Sequence, residues 1–419
     1  MQKIISLLPL LLACPVFAQN AAVAASTAMP AIALSTPTAK PHVEVSTATP
    51  DAAFQKEYGV IKAINFTPAE YPLQHVALYY LPKSAAGKTF LKTLVVLHGG
   101  GEGTRLSTAA VATAISYMKS VVPYAEQNSM AIIAPTSPIG WNGKSQLMRM
   151  EVMKKARREL PLDPDGFYMW GHSMGGMGIS RDVWAENDRY AAFVMNSAGM
   201  QPQTRASQHM YAYLNAKLVH LQGRHDSFET FVPWSEEEIS TMTALAKETG
   251  MPLQYELIYY DGTHQPDMPL LFSTLDRLLK TPRNPYPSDF FSIIGCHSAN
   301  ADMTGYCYDG NFWLDAPGLT PGNTSFELLA RATATPDNKI NIAIHGYEGR
   351  IKTLRVYVSG QFIDLSKPVE VYVNGTKAAT RPAGAADYAR GLMLAQKRGD
   401  TGFVYEDYID IPLPTETTH

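Results

Sequence analysis

The sequence predicts an α/β fold, in which helices cover both faces of a mostly parallel sheet, followed by a smaller β-rich module. Between residues 73 and 285, short apolar segments alternate with longer amphipathic ones, as βαβ units require. From residue 338 onward, strand-like segments follow each other without helices between them. The chain of 419 residues is 46% hydrophobic and 17% charged, which supplies apolar side chains for a sizeable core and excludes a disordered chain.

The predicted strands are short, apolar and bounded by turn residues. In the α/β part they are predicted at residues 75–81, 93–97, 131–134, 167–170, 191–195, 217–221 and 256–260, with helices at 107–120, 146–159 and 236–249. In the β-rich module, strands are predicted at residues 339–345, 353–358, 369–373 and 403–411. Asn374 and Gly375 form a hairpin-type turn signal after the third of these strands.

The first residues indicate export. Residues 1–18 combine Lys3, a ten-residue apolar run and small residues before Gln19, which is the pattern of a secretory signal peptide. An apolar run of that length is far shorter than the roughly 20 residues that span a bilayer, so no integral membrane segment is expected in the mature chain. Processing at Cys14, as in a bacterial lipoprotein, is the less favoured alternative. The protein is therefore expected to be periplasmic or secreted.

Four segments follow from these patterns: the signal peptide at 1–18, a linker rich in Ala, Ser, Thr and Pro at 19–50, the α/β domain at 51–285 and the β-rich module at 286–419. Cys296 and Cys307 lie where the last two segments meet. They are the only cysteines left once residues 1–18 are removed, so in an oxidising compartment they are predicted to form a disulfide. Two free buried thiols are the alternative.

Gly171-His172-Ser173-Met174-Gly175 is the strongest chemical signal in the chain. It follows a predicted strand and precedes a helical stretch. In the pattern G-x-S-x-G, the turn from strand to helix is so sharp that only glycine fits two residues before and two residues after the serine. The turn presents the serine hydroxyl at the carboxyl edge of the sheet, over a helix N-terminus. Ser173 is therefore the candidate nucleophile.

A serine hydroxyl becomes a nucleophile when a base takes its proton, and the base in turn needs an acid that orients it. Asp226 and His264 each follow a predicted strand, so loops at one edge of the sheet bring both of them towards Ser173. Asp226 is the candidate acid and His264 the candidate base. The alternatives are His225 as the base, and Glu229 or Asp261 as the acid.

A glycine-rich loop, His98-Gly99-Gly100-Gly101, follows the predicted strand 93–97. A tetrahedral intermediate carries an oxyanion that backbone N–H groups stabilise, and glycines leave these groups unobstructed. The amides of Gly100 and Met174 are the candidate oxyanion donors. Phosphate binding is the other use of such a loop, but the lysine of a P-loop is absent here. Trp141 follows another strand and is a candidate substrate-lining residue, with aromatic packing as the alternative.

Four motifs, LHGGGEG, YMWGHSMGG, GRHD and DGTH, occur in this order. Through them the chain resembles the α/β-hydrolase superfamily, and it is most similar to secreted esterases of the dienelactone-hydrolase and prolyl-oligopeptidase-like branch. The resemblance covers residues 73–285. It implies Ser173 as nucleophile, Asp226 as acid and His264 as base, with Gly100 and Met174 as oxyanion donors. The C-terminal segment resembles a β-rich extension of some such secreted hydrolases.

The expected function is that of an exported serine hydrolase that cleaves small-molecule or polymer-borne carboxylic esters, with no metal and no other cofactor. A serine peptidase of the prolyl-oligopeptidase type, using the same residues on amides, is one alternative. The other is a non-catalytic protein on a hydrolase fold whose β-rich module holds glycans. A nucleic-acid partner is not expected, because 35 Lys and Arg against 38 Asp and Glu give a net charge of −3.

Overall fold

The computed structural model describes residues 62–66, 75–100, 107–137, 140–141, 144–297, 306–346, 349–384 and 386–413. The predicted signal peptide with Cys14 and the predicted linker lie outside the described residues. In the described part of the chain, no helix combines the length and the apolar character that crossing a membrane requires.

Eight strands form the first sheet, in the spatial order β1-β2-β4-β3-β5-β6-β7-β8. They are β1 (Lys62–Phe66), β2 (His75–Tyr80), β3 (Leu91–Leu97), β4 (Ala131–Pro135), β5 (Leu162–His172), β6 (Ala192–Asn196), β7 (Leu218–Gly223) and β8 (Tyr255–Tyr260). β2 runs antiparallel to β1 and β4, and the remaining pairs of this sheet are parallel. The predicted fold class is thereby confirmed, although β1 was not among the predicted strands.

Helices cover both faces of this sheet. In the described residues they are α1 (Ser107–Asn128), α2 (Lys144–Glu159), α3 (Met174–Glu186), α4 (Pro202–Arg205), α5 (His209–Tyr213), α6 (Phe231–Thr249) and α7 (Met268–Leu278). α1 and α7 share one apolar core with the sheet, and α2, α3 and α6 share another. Successive residues of β3 point alternately into the two cores, with Leu94 and Val96 in one and Val95 and Leu97 in the other. Burial on both faces fixes the carboxyl ends of the strands, where the site is built.

Two further sheets follow from residue 289 onward, which confirms the predicted β-rich C-terminal part. Their spatial orders are β10-β9-β12-β13-β15-β16 and β11-β14-β17. The elements are β9 (Asp289–His297), β10 (Tyr306–Tyr308), β11 (Leu314–Asp315), β12 (Phe326–Thr335), β13 (Lys339–His345), β14 (Thr353–Val358), β15 (Val369–Val373), β16 (Thr376–Arg381), α8 (Tyr388–Gly391), α9 (Met393–Arg398) and β17 (Asp407–Pro412). β9 and β12 were not predicted, and the last strand begins at Asp407 rather than at residue 403.

Two local predictions are confirmed in this part. Asn374 and Gly375 have φ angles of 48° and 78° and turn the chain from β15 into β16, as a two-residue hairpin requires. Cys296 on β9 and Cys307 on β10 are paired neighbours in the sheet and form the predicted disulfide.

The C-terminal sheets are joined to the first sheet by a common core and by buried ion pairs. Phe291 of β9 and Leu329 of β12 belong to the same apolar cluster as α3. Arg398 of α9 is buried and donates to the buried carboxylate of Asp188, which follows α3. The domain limits at 51–285 and 286–419 stay predictions. The contacts described here cross the boundary between residues 285 and 286.

Candidate active site

Ser173 lies in a strained turn between β5 and α3. Its backbone has φ 55° and ψ −119°, a conformation that L-residues rarely adopt. A Cβ on Gly171 would collide with the carbonyl of Gly175, and one on Gly175 would collide with the carbonyl of Leu97 at the end of β3. The backbone N–H of Ser173 donates to the carbonyl of Asn196 on β6, at 2.9 Å. Close backbone packing on both sides therefore holds the serine in this conformation.

Three of the predicted side chains form one hydrogen-bonded chain. His264 Nε2 lies 2.9 Å from Ser173 Oγ, and His264 Nδ1 lies 3.1 Å from both carboxylate oxygens of Asp226. A carboxylate only accepts, so Nδ1 carries the ring proton and Nε2 is left to accept from the serine hydroxyl. The Asp226 side chain is 0% exposed and that of His264 16% exposed. The arrangement gives Ser173 an aligned proton acceptor in a site that is largely shielded from water.

The carboxylate of Asp226 is fixed by two further donors. Gln222 Nε2 donates to one oxygen at 3.0 Å, and the backbone N–H of Phe228 donates to the other at 2.9 Å. Both bonds hold the plane of the carboxylate towards the imidazole. Asp226 follows β7 and His264 follows β8, and β5, β7 and β8 run in the same direction. The three side chains therefore meet at one edge of the sheet.

The alternative acid and base residues lie elsewhere. His225 Nε2 is 3.0 Å from Asp261 Oδ1, and both side chains are largely exposed to solvent. Glu229 is exposed as well. The structure thus joins His225 and Asp261 to each other, while it joins His264 to Ser173 and Asp226.

The glycine-rich loop begins where β3 ends. Gly100 has φ 151°, a backbone conformation suited to glycine, and Gly101 lies outside the described residues. Met174 is the first residue of α3, where backbone N–H groups point out of the helix end and favour negative charge. Both predicted oxyanion donors therefore belong to chain segments that begin at the carboxyl edge of the sheet, one after β3 and the other after β5.

His98 and Trp141 form hydrogen bonds that support this loop. The buried ring of His98 donates from Nδ1 to the carbonyl of Gly99 at 2.9 Å and accepts at Nε2 from the N–H of Ser137 at 3.0 Å. Burial lowers the pKa of His98 to about 4, so the ring is neutral at pH 7. Trp141 is 2% exposed, and its indole N–H donates to the carbonyl of His98 at 2.8 Å. Substrate contact by Trp141 stays a prediction, and its contacts in the structure are those of a support for the loop.

An aromatic wall beside His264 was missed by the sequence analysis. Its members are Phe228, whose ring centre lies 4.5 Å from that of His264, and Phe231, at 5.7 Å. Phe228 is 51% exposed, which is unusual for a phenylalanine, whereas Phe231 is buried. The only signal in the sequence is that Phe228 stands two residues after Asp226. An exposed ring beside the candidate base offers an apolar surface to a bound molecule.

No protein-family model and no curated protein matches the chain. Similar solved structures include a thermostable esterase, an S-formylglutathione hydrolase of Staphylococcus aureus and a poly(3-hydroxybutyrate) depolymerase of Bordetella parapertussis. The sequence identities are 17%, 19% and 17%, and the TM-scores are 0.44, 0.38 and 0.40. The matches cover 53%, 53% and 56% of this chain and 63%, 95% and 99% of those chains, so the chain spans less than two thirds of the esterase.

Proposed function

We propose that this protein is an exported serine hydrolase that cleaves carboxylic esters through an acyl-enzyme on Ser173. The observation that carries the proposal is the continuous chain from Ser173 Oγ through His264 to Asp226, with bonds of 2.9 and 3.1 Å. A hydroxyl bonded to a neutral imidazole, which is itself held by an ionised carboxylate, is the arrangement that activates a serine for attack on a carbonyl.

In the acylation step, Ser173 Oγ attacks the ester carbonyl carbon while His264 Nε2 takes the hydroxyl proton. A carbon–oxygen bond forms, and the carbonyl electron pair moves onto oxygen as an oxyanion. The backbone N–H groups of Gly100 and Met174 donate to this oxyanion. When the intermediate collapses, the bond to the alcohol oxygen breaks and the alcohol leaves with the proton from His264. Asp226 stays ionised and stabilises the imidazolium in between.

In the deacylation step, a water molecule takes the place of the alcohol. His264 removes a proton from the water, whose oxygen adds to the acyl carbon and again places an oxyanion against Gly100 and Met174. Collapse breaks the bond to Ser173 Oγ, which recovers its proton from His264. The carboxylic acid leaves, and the enzyme returns to its starting state.

Two features support the cellular setting and the substrate class. The disulfide between Cys296 and Cys307 fits an oxidising compartment, as the predicted signal peptide does. The exposed ring of Phe228 beside His264 suits an ester with an apolar or aromatic part. Such an ester is a free small molecule or a group attached to a polymer.

The test is hydrolysis of p-nitrophenyl acetate, butyrate and octanoate beside a Pro-p-nitroanilide peptide. Wild type is compared with Ser173→Ala and with Ser180→Ala, a matched variant that removes a serine hydroxyl from α3, where it bonds to the carbonyl of Met177. Ester turnover that is lost in the first variant and kept in the second supports the proposal. Cleavage of the anilide alone favours a peptidase, and full ester turnover by Ser173→Ala overturns the mechanism.

A further inference from the structure

His172, the residue between Gly171 and Ser173, has a buried ring with a partner on each nitrogen. Nε2 lies 2.5 Å from the carbonyl oxygen of His264, and Nδ1 lies 2.5 Å from the hydroxyl oxygen of Tyr117 on α1. A carbonyl oxygen only accepts, so Nε2 carries the proton and donates to His264. Nδ1 is then the acceptor, and the hydroxyl of Tyr117 donates to it. The tautomer of His172 is thus fixed by its partners.

This pattern of donors and acceptors holds over the neutral pH range. Burial lowers the pKa of His172 to about 4, which keeps the ring neutral. Burial raises the pKa of Tyr117, so its hydroxyl keeps the proton that it donates.

Tyr117 also contacts the glycine-rich loop. Its hydroxyl oxygen lies against the backbone of Gly99. A Cβ on Gly99 would lie 2.5 Å from that oxygen and 3.3 Å from Nδ1 of His172, so the close approach requires glycine. Gly99 directly precedes Gly100, the candidate oxyanion donor. Tyr117 therefore packs against the loop after β3, and hydrogen bonds run from Tyr117 through His172 to the loop that carries His264.

We propose that Tyr117 and His172 are positioning residues that hold the oxyanion loop and the base loop at a fixed distance on either side of Ser173. This inference rests on the proposed function, since it assigns a role in the same reaction. Acyl transfer requires the base and the oxyanion donors to act on one carbonyl group at the same time, so an error in their separation weakens both contributions. The ring centres of His172 and His264 lie 4.9 Å apart, so His172 is in direct contact with the base.

Loss of the chain should slow the chemical step and leave substrate binding almost unchanged. His172→Ala leaves the carbonyl of His264 without this donor, and displacing a catalytic group by about 1 Å costs on the order of 100-fold in rate. We therefore expect kcat to fall by about 10- to 100-fold in His172→Ala, with KM within about twofold of wild type. Tyr117→Phe removes the hydroxyl and keeps the ring, and should lower kcat by a smaller factor.

Two variants separate positioning from packing. His172→Gln places an amide N–H close to the position of Nε2 and should recover most of kcat, because the donor to His264 returns. Tyr124→Phe removes another tyrosine hydroxyl from α1, which bonds to Asp276, and should leave kcat unchanged. In the double variant with His172→Ala, Tyr117→Phe should have no further effect, because the chain is already broken.

The experiment measures kcat and KM of these variants on p-nitrophenyl butyrate, with thermal unfolding to confirm that each one is folded. The inference is overturned if kcat of His172→Ala stays within twofold of wild type, or if Tyr117→Phe has the same effect in both backgrounds. If His172→Ala does not fold, the comparison of kcat between Tyr117→Phe and Tyr124→Phe decides. Equal kcat values for these two variants overturn the inference. Ser173→Ala separates the two proposals. If this variant is active, the proposed function is wrong. If it is inactive while His172→Ala is fully active, only the positioning role is wrong.

Discussion

Lowering the pH from 7 to 5 should destabilise the fold through His172. Its pKa is about 4 in the folded protein because of burial, and the ordinary value of 6.5 applies once the chain unfolds. Between these values the unfolded chain binds a proton that the folded chain does not, so stability is present in full above pH 6.5 and is lost as the pH falls towards 4. At about 1.4 kcal/mol for each unit of pKa difference, the loss is roughly 2 kcal/mol by pH 5 and roughly 3 kcal/mol near pH 4.

The assay is urea unfolding at pH 7, 6 and 5, on wild type and on His172→Gln. Glutamine does not titrate, so the variant should lose about 2 kcal/mol less than wild type between pH 7 and pH 5. Burial lowers the pKa of His98 to about 4 as well, so the remaining pH dependence of the variant still contains that second histidine. Parallel curves for the two proteins would refute the reasoning, because they would mean that His172 exchanges no proton on unfolding.

Three further changes have defined expectations. Asp226→Asn should lower kcat for p-nitrophenyl esters by about ten-thousandfold with KM nearly unchanged, since the amide disfavours the required tautomer of His264. A loss in kcat below tenfold would contradict the role of Asp226 as the acid. Phe228→Ala should lower kcat/KM for p-nitrophenyl octanoate about tenfold more than for the acetate, and equal losses would show that the ring does not contact the acyl chain. Arg398→Met removes the arginine that is hydrogen-bonded to the buried carboxylate of Asp188 and leaves it the more distant Arg189, at 4.0 Å. Urea unfolding should therefore show a loss of about 3–5 kcal/mol, and a loss below 1 kcal/mol would contradict this expectation.

The parts of the site that the sequence predicted are those that depend on where strands end. Ser173, Asp226 and His264 each follow a strand, and parallel strands bring their carboxyl ends to one edge, so order along the chain was enough to place them together. The strands β9 and β12 were missed, although both are interior strands of the six-stranded sheet. Strand-like segments follow one another closely only after residue 338, and β9 and β12 lie before that point.

The residues that the sequence did not predict depend on contacts between distant elements. Tyr117 meets His172 across 55 positions, and Phe228 meets His264 only because the loops after β7 and β8 converge. No local pattern encodes such a contact, since a helical tyrosine or a loop phenylalanine has many other uses. Trp141 is a further example, because its place after a strand left substrate lining and aromatic packing both open. In the structure it packs tightly against Gly178 and its indole N–H bonds to His98, contacts that the sequence pattern does not encode.

The glycines around Ser173 and the serine itself have separable roles, and two substitutions distinguish them. Gly175 lies so close to the carbonyl of Leu97 that any side chain would force α3 away from β3, whereas the Ser173 side chain points into the site and bonds to His264. Ser173→Ala should therefore keep the thermal unfolding temperature within a few degrees of wild type while ester turnover disappears. Gly175→Ala should lower the free energy of unfolding by about 1–3 kcal/mol or more, which is the cost of overpacking, and should lose activity as well. If Gly175→Ala were inactive but as stable as wild type, the backbone would accommodate the methyl group with no loss of stability. The strained conformation of Ser173 would then have a cause other than this packing.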